Sequence, residues 1–282
     1  MLHTFLYRQK FQVSQQFNSI NTTLSIKITS TSTFYSNIAV LVDFRTADRI
    51  LTIVHNVNRH IPSSWPIQIF HGKENQYFIK NSTLAPLIAS GKIFLTLMEE
   101  VYDRAPLIAS GKIFLTLMEE VYDRGRTNEL LTDPKFWQRV RGEKILLFQI
   151  DSAMCSNTPH KITDFLQYDY VGAPWDPSWF AYNKAYLVGN GGFSLRSRSK
   201  ILALLALTKY DFKMPEDVWY AQNLHRVNGS IASVEIAKTF SVESMYYERP
   251  LGVHRFPLRC SVQTKLFAIC PEAKMVMPGR CS

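Results

Sequence analysis

The sequence predicts an α/β fold with a mostly parallel central sheet and flanking helices. Apolar runs of strand length alternate with helix-like segments along most of the chain, and this alternation is typical of parallel sheets. The chain of 282 residues is also long enough to bury one large core. In such sheets ligands bind beyond the carboxyl ends of the strands, so polar side chains that follow buried strands are the first candidates for a site.

The expected elements follow from apolar runs and from helix-start signals. Strands are expected at residues 38–42, 67–70, 92–97, 144–149 and 169–172. Helices are expected at residues 47–58, 76–81, 162–167 and 215–226. A further helix should start near Asp133 and Pro134, because Asp is favoured at the N-cap and Pro at the first helical position. Residues 201–207 are too short an apolar run to span a membrane, and we interpret them as a buried helix start.

One segment of the chain occurs twice, because residues 105–124 repeat residues 85–104 without one change. Genuine repeat folds need several copies to bury a continuous core, so this pair indicates a tandem duplication or a sequence error. We expect the fold to accommodate one copy and the other to have no functional role. The predicted catalytic domain covers residues 37–256, between an N-terminal extension of residues 1–36 and a basic C-terminal tail of residues 257–282.

The net charge of +9 is concentrated at the two ends of the chain. Residues 1–42 carry three basic side chains and no acid, and residues 249–282 carry six basic side chains and one acid. A duplex-binding protein presents a continuous basic face, so no nucleic-acid partner is expected. No apolar run approaches the ~20 residues of a membrane span. The chain as given is therefore expected to be soluble, or to lie in the Golgi or secretory lumen if an N-terminal anchor is missing.

The cysteines do not indicate a metal site. The chain has four of them, Cys155, Cys260, Cys270 and Cys281. They form no C-x-x-C pair, so zinc is not expected. Free thiols are the simpler expectation, although three of the four lie near the C-terminus and a disulfide would suit a secretory lumen. The same compartment would suit the glycosylation sequons at Asn21, Asn81 and Asn228.

The most informative segment is a glycine-rich loop within residues 187–196. Gly189, Asn190, Gly191 and Gly192 follow a strand-like run and precede an apolar helix-like run. Glycine is used where the backbone has a positive φ or where another group approaches closely. We therefore expect a tight loop that forms the floor of a ligand pocket, where a side chain at Gly191 or Gly192 would collide with substrate.

Acidic residues lie on both sides of this loop in the sequence. Gln149 and Asp151 come at the end of a predicted strand, whose alternation would point them to the same side. Asp151 either caps a turn or binds a divalent cation, Mn²⁺ or Mg²⁺, that shares oxygen ligands with a diphosphate. Glu216 and Asp217 open a predicted helix, where acids complement the helix dipole. Asp217 is alternatively a general base that removes a proton from an acceptor hydroxyl.

A histidine, an arginine and two tryptophans are further candidates for the site. His254 follows a glycine turn late in the chain and is either an ordinary histidine or a metal ligand. Arg45 ends the first strand and either contacts a nucleotide or caps a turn. Trp175 or Trp179 would line an acceptor site, since aromatic faces stack on sugar rings, although such residues more often fill a core.

The order of these features resembles that of the GT-A glycosyltransferases: a strand-end acid, a glycine loop, an acidic pair and a late histidine. The segments FQIDSAMCSN, DYVGAPW, VGNGGFSLRSRS, PEDVWYA and FSVESMYYERPLGVHR are closer still to a glycosyltransferase-like family of the DUF5672 type. This likeness covers about residues 37–256, apart from the duplication.

The resemblance implies a GT-A (Rossmann-like) architecture and a nucleotide-sugar donor. The acceptor would be a hydroxyl group of a glycan, a protein or a small molecule. Asp217, with Glu216, would be catalytic, and Asp151 and His254 would bind the metal. The predicted donor or acceptor contacts are Gln149, Arg45, Gly191, Gly192, Asn190 and Trp175.

Two further expectations concern the reaction. It should be inverting, because Asp217 would be a suitable base and no second nucleophile stands out. Gln149 stands where a complete DxD motif has an acid, so the motif lacks one of its two carboxylates. A catalytically degenerate module of the same fold, which binds a nucleotide or a glycan, is therefore the alternative.

Overall fold

The computed structural model of the chain describes residues 33–98, 124–177, 187–255 and 260–276. The predictions made for residues 1–32, for most of the second copy of the repeat and for Trp179 lie outside these ranges. The first copy forms a helix at Ala85–Ala89 and a strand at Ile93–Leu97. One copy thus supplies the expected helix and strand.

The described strands form two sheets. The strands are β1 (Tyr35–Val42), β2 (Ile67–His71), β3 (Ile93–Leu97), β4 (Gly142–Phe148), β5 (Ser152–Met154), β6 (Tyr170–Gly172), β7 (Phe193–Ser197), β8 (Ser241–Val242) and β9 (Gly252–His254). The central sheet has six strands in the order β3-β2-β1-β4-β7-β6. Strands β1 to β4 are parallel, and β7 is antiparallel to β4 and β6. The predicted α/β class with a mostly parallel sheet is confirmed.

Helices connect these strands. They are α1 (Asp48–His60), α2 (Lys73–Lys80), α3 (Ala85–Ala89), α4 (Arg124–Leu131), α5 (Pro134–Arg139), α6 (Arg198–Leu207), α7 (Glu216–Asn223), α8 (Val234–Phe240), α9 (Cys260–Ile269) and α10 (Ala273–Val276). Short 3-10 helices lie at Ile162–Phe165 and Leu224–Val227. The start of α5 confirms the predicted cap, because the Asp133 carboxylate accepts the Lys135 N–H at 2.8 Å. None of the described helices is long and apolar enough to cross a membrane.

The central sheet is buried on both faces. Strand alternation sends Ala39 and Leu41 of β1 into one apolar cluster, and Ile38 and Val40 into another. Helix α1 covers the first cluster, whereas α5, α6 and α7 cover the second. Strands that are buried on both sides form nearly continuous apolar runs, which explains why the sequence predicted β1, β2 and β4 directly.

The glycine-rich loop leads into a strand and not into the expected helix. Residues 193–197 pair with β4 as strand β7, and helix α6 begins only at Arg198. This pairing places the loop beside the carboxyl end of β4, where the chain turns toward β5. The second sheet, of order β5-β9-β8, lies at the same place. Its register sets His254 opposite Ser152 and thus brings the end of the domain to the turn after β4.

Residues 260–276, part of the expected basic C-terminal tail, are mostly helical in the structure. They form α9 and α10, and Leu266, Cys270 and Ala273 are buried in the core. Cys270 forms a disulfide with Cys155, 115 residues earlier in the chain, so the expectation of free thiols is wrong for this pair. The disulfide joins the segment after β5 to the C-terminal helices.

Removing the disulfide should destabilise the whole domain. In a Cys155→Ser/Cys270→Ser variant the unfolded chain regains the freedom of a loop of 115 residues, which lowers the free energy of unfolding by about 2–4 kcal/mol. Urea unfolding without reductant measures the difference. Reductant should lower the midpoint of the wild type and leave that of the double variant unchanged. Equal midpoints for the two proteins under oxidising conditions would contradict the prediction.

Candidate functional site

The candidate site lies at the carboxyl edge of the central sheet. Gln149 and Asp151 follow β4 there, but β4 ends at Phe148 and residues 149–151 form a turn. The Gln149 carbonyl accepts the Ser152 N–H at 3.0 Å and the Ser152 hydroxyl at 2.6 Å. The alternation of side chains along a strand therefore does not extend to Gln149 and Asp151. The prediction that these two side chains point to the same side of the sheet rested on that alternation. The Gln149 N–H instead donates to the Gly192 carbonyl at 2.8 Å, which ties this turn to the glycine loop.

Asp151 and His254 lie side by side. The Oδ1 atom of Asp151 is 3.4 Å from Nε2 of His254, and the Asp151 carbonyl accepts the Arg255 N–H at 3.0 Å. His254 is buried, and its Nε2 has no aligned hydrogen-bond partner. Burial opposes the charge of Asp151, but the neighbouring His254 prevails and lowers the pKa of the carboxyl to about 2.

The other nitrogen of His254 is held by two groups. Its Nδ1 lies 3.2 Å from Oε1 of Glu243 and 3.0 Å from Nδ2 of Asn190. A protonated Nδ1 donates to Glu243, and an unprotonated Nδ1 accepts from Asn190, so the ring is held in either tautomer. Burial opposes protonation, but Asp151 and Glu243 together raise the pKa of His254 to about 10. A strongly negative environment thus surrounds the imidazole.

Asn190 shapes the glycine loop. Its side-chain oxygen accepts the N–H groups of Gly192 and Phe193 at 2.7 and 2.8 Å, which turns the amide nitrogen toward His254. Its own N–H donates to the Tyr170 hydroxyl at 3.1 Å. Asn190 was predicted as a donor or acceptor contact. In the structure its side chain is buried and organises the loop.

The loop glycines are explained by close approach and not by backbone conformation. Gly91, outside the loop, is the glycine with a positive φ in the described part of the chain. A Cβ atom at Gly192 would lie 1.9 Å from Nε2 of His254, and one at Gly191 would lie 2.6 Å from Oε1 of Glu216. Side chains at these positions would therefore collide with the protein itself, so a substitution at Gly191 would disturb the fold as well as the proposed pocket.

Asp217 approaches the loop from the start of helix α7. Its Oδ2 accepts the Gly191 N–H at 3.0 Å, and its Oδ1 accepts the Val218 N–H at 2.8 Å. Burial, together with the negative charges of Glu216 and Glu243, raises the pKa of Asp217 to about 7. A carboxyl with such a pKa is matched to proton transfer near neutral pH.

Glu216 has a different environment. Its two oxygens accept from the Arg196 guanidinium at 2.9 and 3.0 Å, and both side chains are buried. Its N–H donates to Oδ1 of Asn128 at 3.1 Å. Glu216 was predicted to share the catalytic role of Asp217. The geometry gives it the role of an anchor for the first turn of α7, because its carboxylate is occupied by Arg196.

Arg45 forms an ion pair with Asp43 at the end of β1. Its Nε donates to Oδ1 of Asp43 at 3.0 Å, and its backbone N–H donates to the same oxygen at 2.9 Å. Asp43 is buried, and its carbonyl accepts from Asn75 at 2.9 Å. Both interpretations of Arg45, a turn cap and a nucleotide contact, stay open, because its side chain remains 38% exposed at the ligand-binding edge.

Trp175 lies beneath the loop. It is 5% exposed, and a Cβ atom at Gly189 would lie 2.7 Å from its ring. The structure therefore gives it no open face for an acceptor sugar, and the prediction that it lines the acceptor site is not supported. It supports the loop from below as a core residue.

Sequence reasoning missed two charged residues of the site, Glu243 and Arg196. Each looks like an ordinary polar residue in the sequence, since Glu243 follows the two-residue strand β8 and Arg196 lies within β7. A charged residue at a buried position of a strand indicates a buried ion pair, and Arg196 is such a residue. Nothing in the local sequence marks Glu243.

In the described ranges, no group of three or more His, Cys, Asp or Glu residues is arranged to hold a metal ion. Within those ranges, Asp151 and His254 are thus a pair of ligand candidates without a third His, Cys, Asp or Glu ligand.

The sequence of residues 115–254 matches a family described as "Protein of unknown function (DUF5672)". No curated protein matches the sequence. The apo form of the glycosyltransferase GlyE of Streptococcus pneumoniae TIGR4 is similar with a TM-score of 0.43 and 14% identity, over 78% of this chain and 54% of that chain.

The apo structure of the bifunctional glycosyltransferase WbbM is similar with a TM-score of 0.44 and 11% identity, over 79% of this chain and 46% of that chain. The match thus spans about half the length of each of these proteins. The family match is the more specific finding, because it covers the turn after β4, the glycine loop, the start of α7 and strand β9. Over residues 115–254, just under half of its length, the chain is similar to the family described as "Protein of unknown function (DUF5672)".

Proposed function

We propose that the chain is a glycosyltransferase that moves a sugar from a nucleotide-sugar donor to a hydroxyl acceptor, with inversion at the transferred carbon. One observation carries the proposal. The glycine loop separates a carboxyl whose pKa is near neutrality, Asp217, from the Asp151–His254 pair. The first can take a proton from the acceptor, and the second suits a cation that binds the leaving diphosphate.

The proposed reaction uses Asp217 as the general base. Its carboxylate takes the proton of the acceptor hydroxyl while the acceptor oxygen forms a bond to the anomeric carbon. The bond between that carbon and the diphosphate oxygen breaks, and the nucleoside diphosphate leaves. The Gly191 N–H fixes one oxygen of Asp217, which holds the base in one orientation for the incoming hydroxyl.

The residues present fit a divalent cation, Mn²⁺ or Mg²⁺. Nε2 of His254 is a buried nitrogen without a hydrogen-bond partner, 3.4 Å from a carboxylate oxygen of Asp151. The negative environment that favours a proton on His254 favours a metal cation there as well. A cation with two protein ligands takes its remaining ligands from water and substrate phosphates, as is usual for Mg²⁺. When bound, it would supply the Lewis-acid stabilisation of the leaving diphosphate.

An oxidising compartment, such as the secretory lumen, suits the proposed enzyme. The Cys155–Cys270 disulfide is a bond that persists in such compartments. The sequon residues Asn81 and Asn228 are both exposed at the ends of helical segments.

The alternative is a module of the same fold that binds a nucleotide or a glycan without turnover. Gln149 in place of an acid favours it, as does the lack of a third protein metal ligand in the described part of the chain. A screen of nucleotide-sugars that follows release of the nucleotide product separates the two. Calorimetric binding of a nucleoside diphosphate with Mn²⁺, but no release from any donor, is the outcome expected of the alternative.

Asp217→Asn should abolish transfer and leave nucleotide binding intact. The amide keeps an acceptor for the Gly191 N–H but cannot take a proton, so kcat should fall by about 100- to 10,000-fold. Product release measures the rate, and calorimetry with a nucleoside diphosphate measures binding. The control is Asp211→Asn, an exposed acid in the preceding loop, which should behave as wild type. Wild-type rates for Asp217→Asn would remove the assignment.

Activity and stability should depend on pH in opposite directions around neutrality. The base must be ionised, so kcat/KM should rise with pH through about 7, the pKa of Asp217. A raised pKa means that the fold favours the neutral carboxyl, so this contribution to stability is present at low pH and lost as the pH rises through about 7. Asp217→Asn should therefore be at least as stable as wild type at pH 8 in thermal unfolding. An activity limb near pH 4 would contradict the assignment.

Gly192→Ala should weaken the proposed metal site. A methyl group there would lie 1.9 Å from Nε2 of His254, so the ring must move away from Asp151. We expect a loss of about 10- to 100-fold in Mn²⁺ affinity, measured by calorimetry. The matched control is Gly72→Ala, where the nearest atom is an ordinary 3.5 Å away and Mn²⁺ binding should be unchanged. Equal affinity in the wild type and Gly192→Ala would exclude His254 as a ligand.

A further inference from the structure

We propose that Arg196 is the positioning residue that holds the carboxylate of Asp217 in place against the glycine loop. The inference rests on the proposed function, because it gives Arg196 a task toward the proposed base. It begins from a group that the reaction itself does not use. The Arg196 side chain is 0% exposed and cannot reach a substrate.

The guanidinium joins three parts of the chain. It binds both oxygens of Glu216 at the start of α7, at 2.9 and 3.0 Å. Its Nε donates to the Ser194 hydroxyl on its own strand at 2.9 Å, and one terminal nitrogen donates to the Asn190 carbonyl at 3.3 Å. Strand β7, the glycine loop and helix α7 therefore meet at one side chain.

Three aromatic rings enclose this cation. The guanidinium carbon lies 5.1 Å from the ring centre of Tyr170, 5.4 Å from that of Tyr220 and 5.8 Å from that of Trp137. Rings at these distances attract a cation, and they keep water away from it. The Tyr220 hydroxyl is engaged elsewhere, with the Leu131 carbonyl at 2.7 Å. The cage thus fixes the guanidinium in one place and leaves its hydrogen bonds to Glu216 and the loop.

The decisive geometry lies in a single peptide group, the one between Asn190 and Gly191. Its carbonyl accepts from Arg196, and its N–H donates to Asp217. A trans peptide group is planar, with the carbonyl and the N–H pointing in opposite directions. The Tyr170 hydroxyl also donates to this carbonyl, at 3.4 Å. Arg196, together with Tyr170, therefore sets the direction of the N–H that Asp217 accepts.

Arg196 also positions Asp217 itself, through the neighbouring residue Glu216. Glu216 is the residue directly before Asp217, so the ion pair with Arg196 fixes the first turn of α7 against β7. The peptide donor and the carboxylate acceptor are thus placed by the same guanidinium. A purely structural ion pair would stabilise the domain without this specific consequence for the Gly191 N–H.

Two variants test the inference. Arg196→Lys keeps the charge and loses the two-pronged contact with Glu216. Arg196→Met/Glu216→Gln removes both charges, since loss of Arg196 alone would leave a buried unpaired carboxylate and prevent folding. The matched control is Lys144→Met. Lys144 also forms an ion pair between neighbouring segments, 3.4 Å from Asp169, but it lies on β4 away from the glycine loop.

Two measurements are made on the folded variants. Amide hydrogen exchange should show the Gly191 N–H at least about tenfold less protected, while amides of β1 stay as in wild type. Transfer assays should show kcat lowered by about 100-fold and KM for the donor nearly unchanged. Lys144→Met should change neither. If either variant folds and its Gly191 N–H stays as protected as in the wild type, the inference is wrong.

The exchange measurement also separates this inference from the proposed function. A wild-type chain that transfers no sugar from any donor would end the proposed function. Loss of Gly191 protection in the variants would still show that Arg196 holds the peptide group. Full protection would overturn the positioning role whatever the activity.

Discussion

The buried ion pair between Arg196 and Glu216 is the interaction on which the arrangement of the site depends. Taking two charges out of water costs on the order of several kcal/mol per ion. Their mutual attraction offsets this cost only when the geometry is good and the remaining donors have hydrogen-bond partners. Here the contact with Glu216 is two-pronged, Ser194 and Asn190 accept further hydrogen bonds, and aromatic rings surround the cation. The loop and the start of α7 are therefore fixed relative to each other by one side chain.

The glycine loop shows what the sequence can and cannot predict. Its position and its tight packing could be predicted, because Gly189, Gly191 and Gly192 stand between apolar segments. The reason for the glycines could not, since it depends on groups far along the chain. Glu216 approaches Gly191 from α7, and His254 approaches Gly192 from β9. Only the folded arrangement distinguishes a collision with substrate from a collision with the protein's own side chains.

The same distinction explains the other outcomes. Strands β1 and β2 of the central sheet were predictable because they are buried and mostly apolar, whereas β7, which carries Ser194 and Arg196, was not recognised as a strand. The turn at Gln149 to Asp151 was not, because the end of β4 depends on hydrogen bonds from Ser152. Glu243 was not recognised from the sequence, and the sequence left open whether the cysteines form a disulfide. Each of them joins segments that are brought together only by the second sheet and the C-terminal helices.

The two acids on either side of the loop differ in their neighbours and therefore in their chemistry. Asp151 lies beside His254, and its pKa falls to about 2. Asp217 lies near Glu216 and Glu243, and its pKa rises to about 7. The nearby cation Arg196 does not offset this, because its strongest contacts go to Glu216. A carboxylate with a pKa of about 2 is too weak a base to take a hydroxyl proton at neutral pH, whereas one near 7 is matched to that task. The proposed division of roles between metal ligand and base thus rests on the surroundings of the two acids and not on the motif in which each occurs.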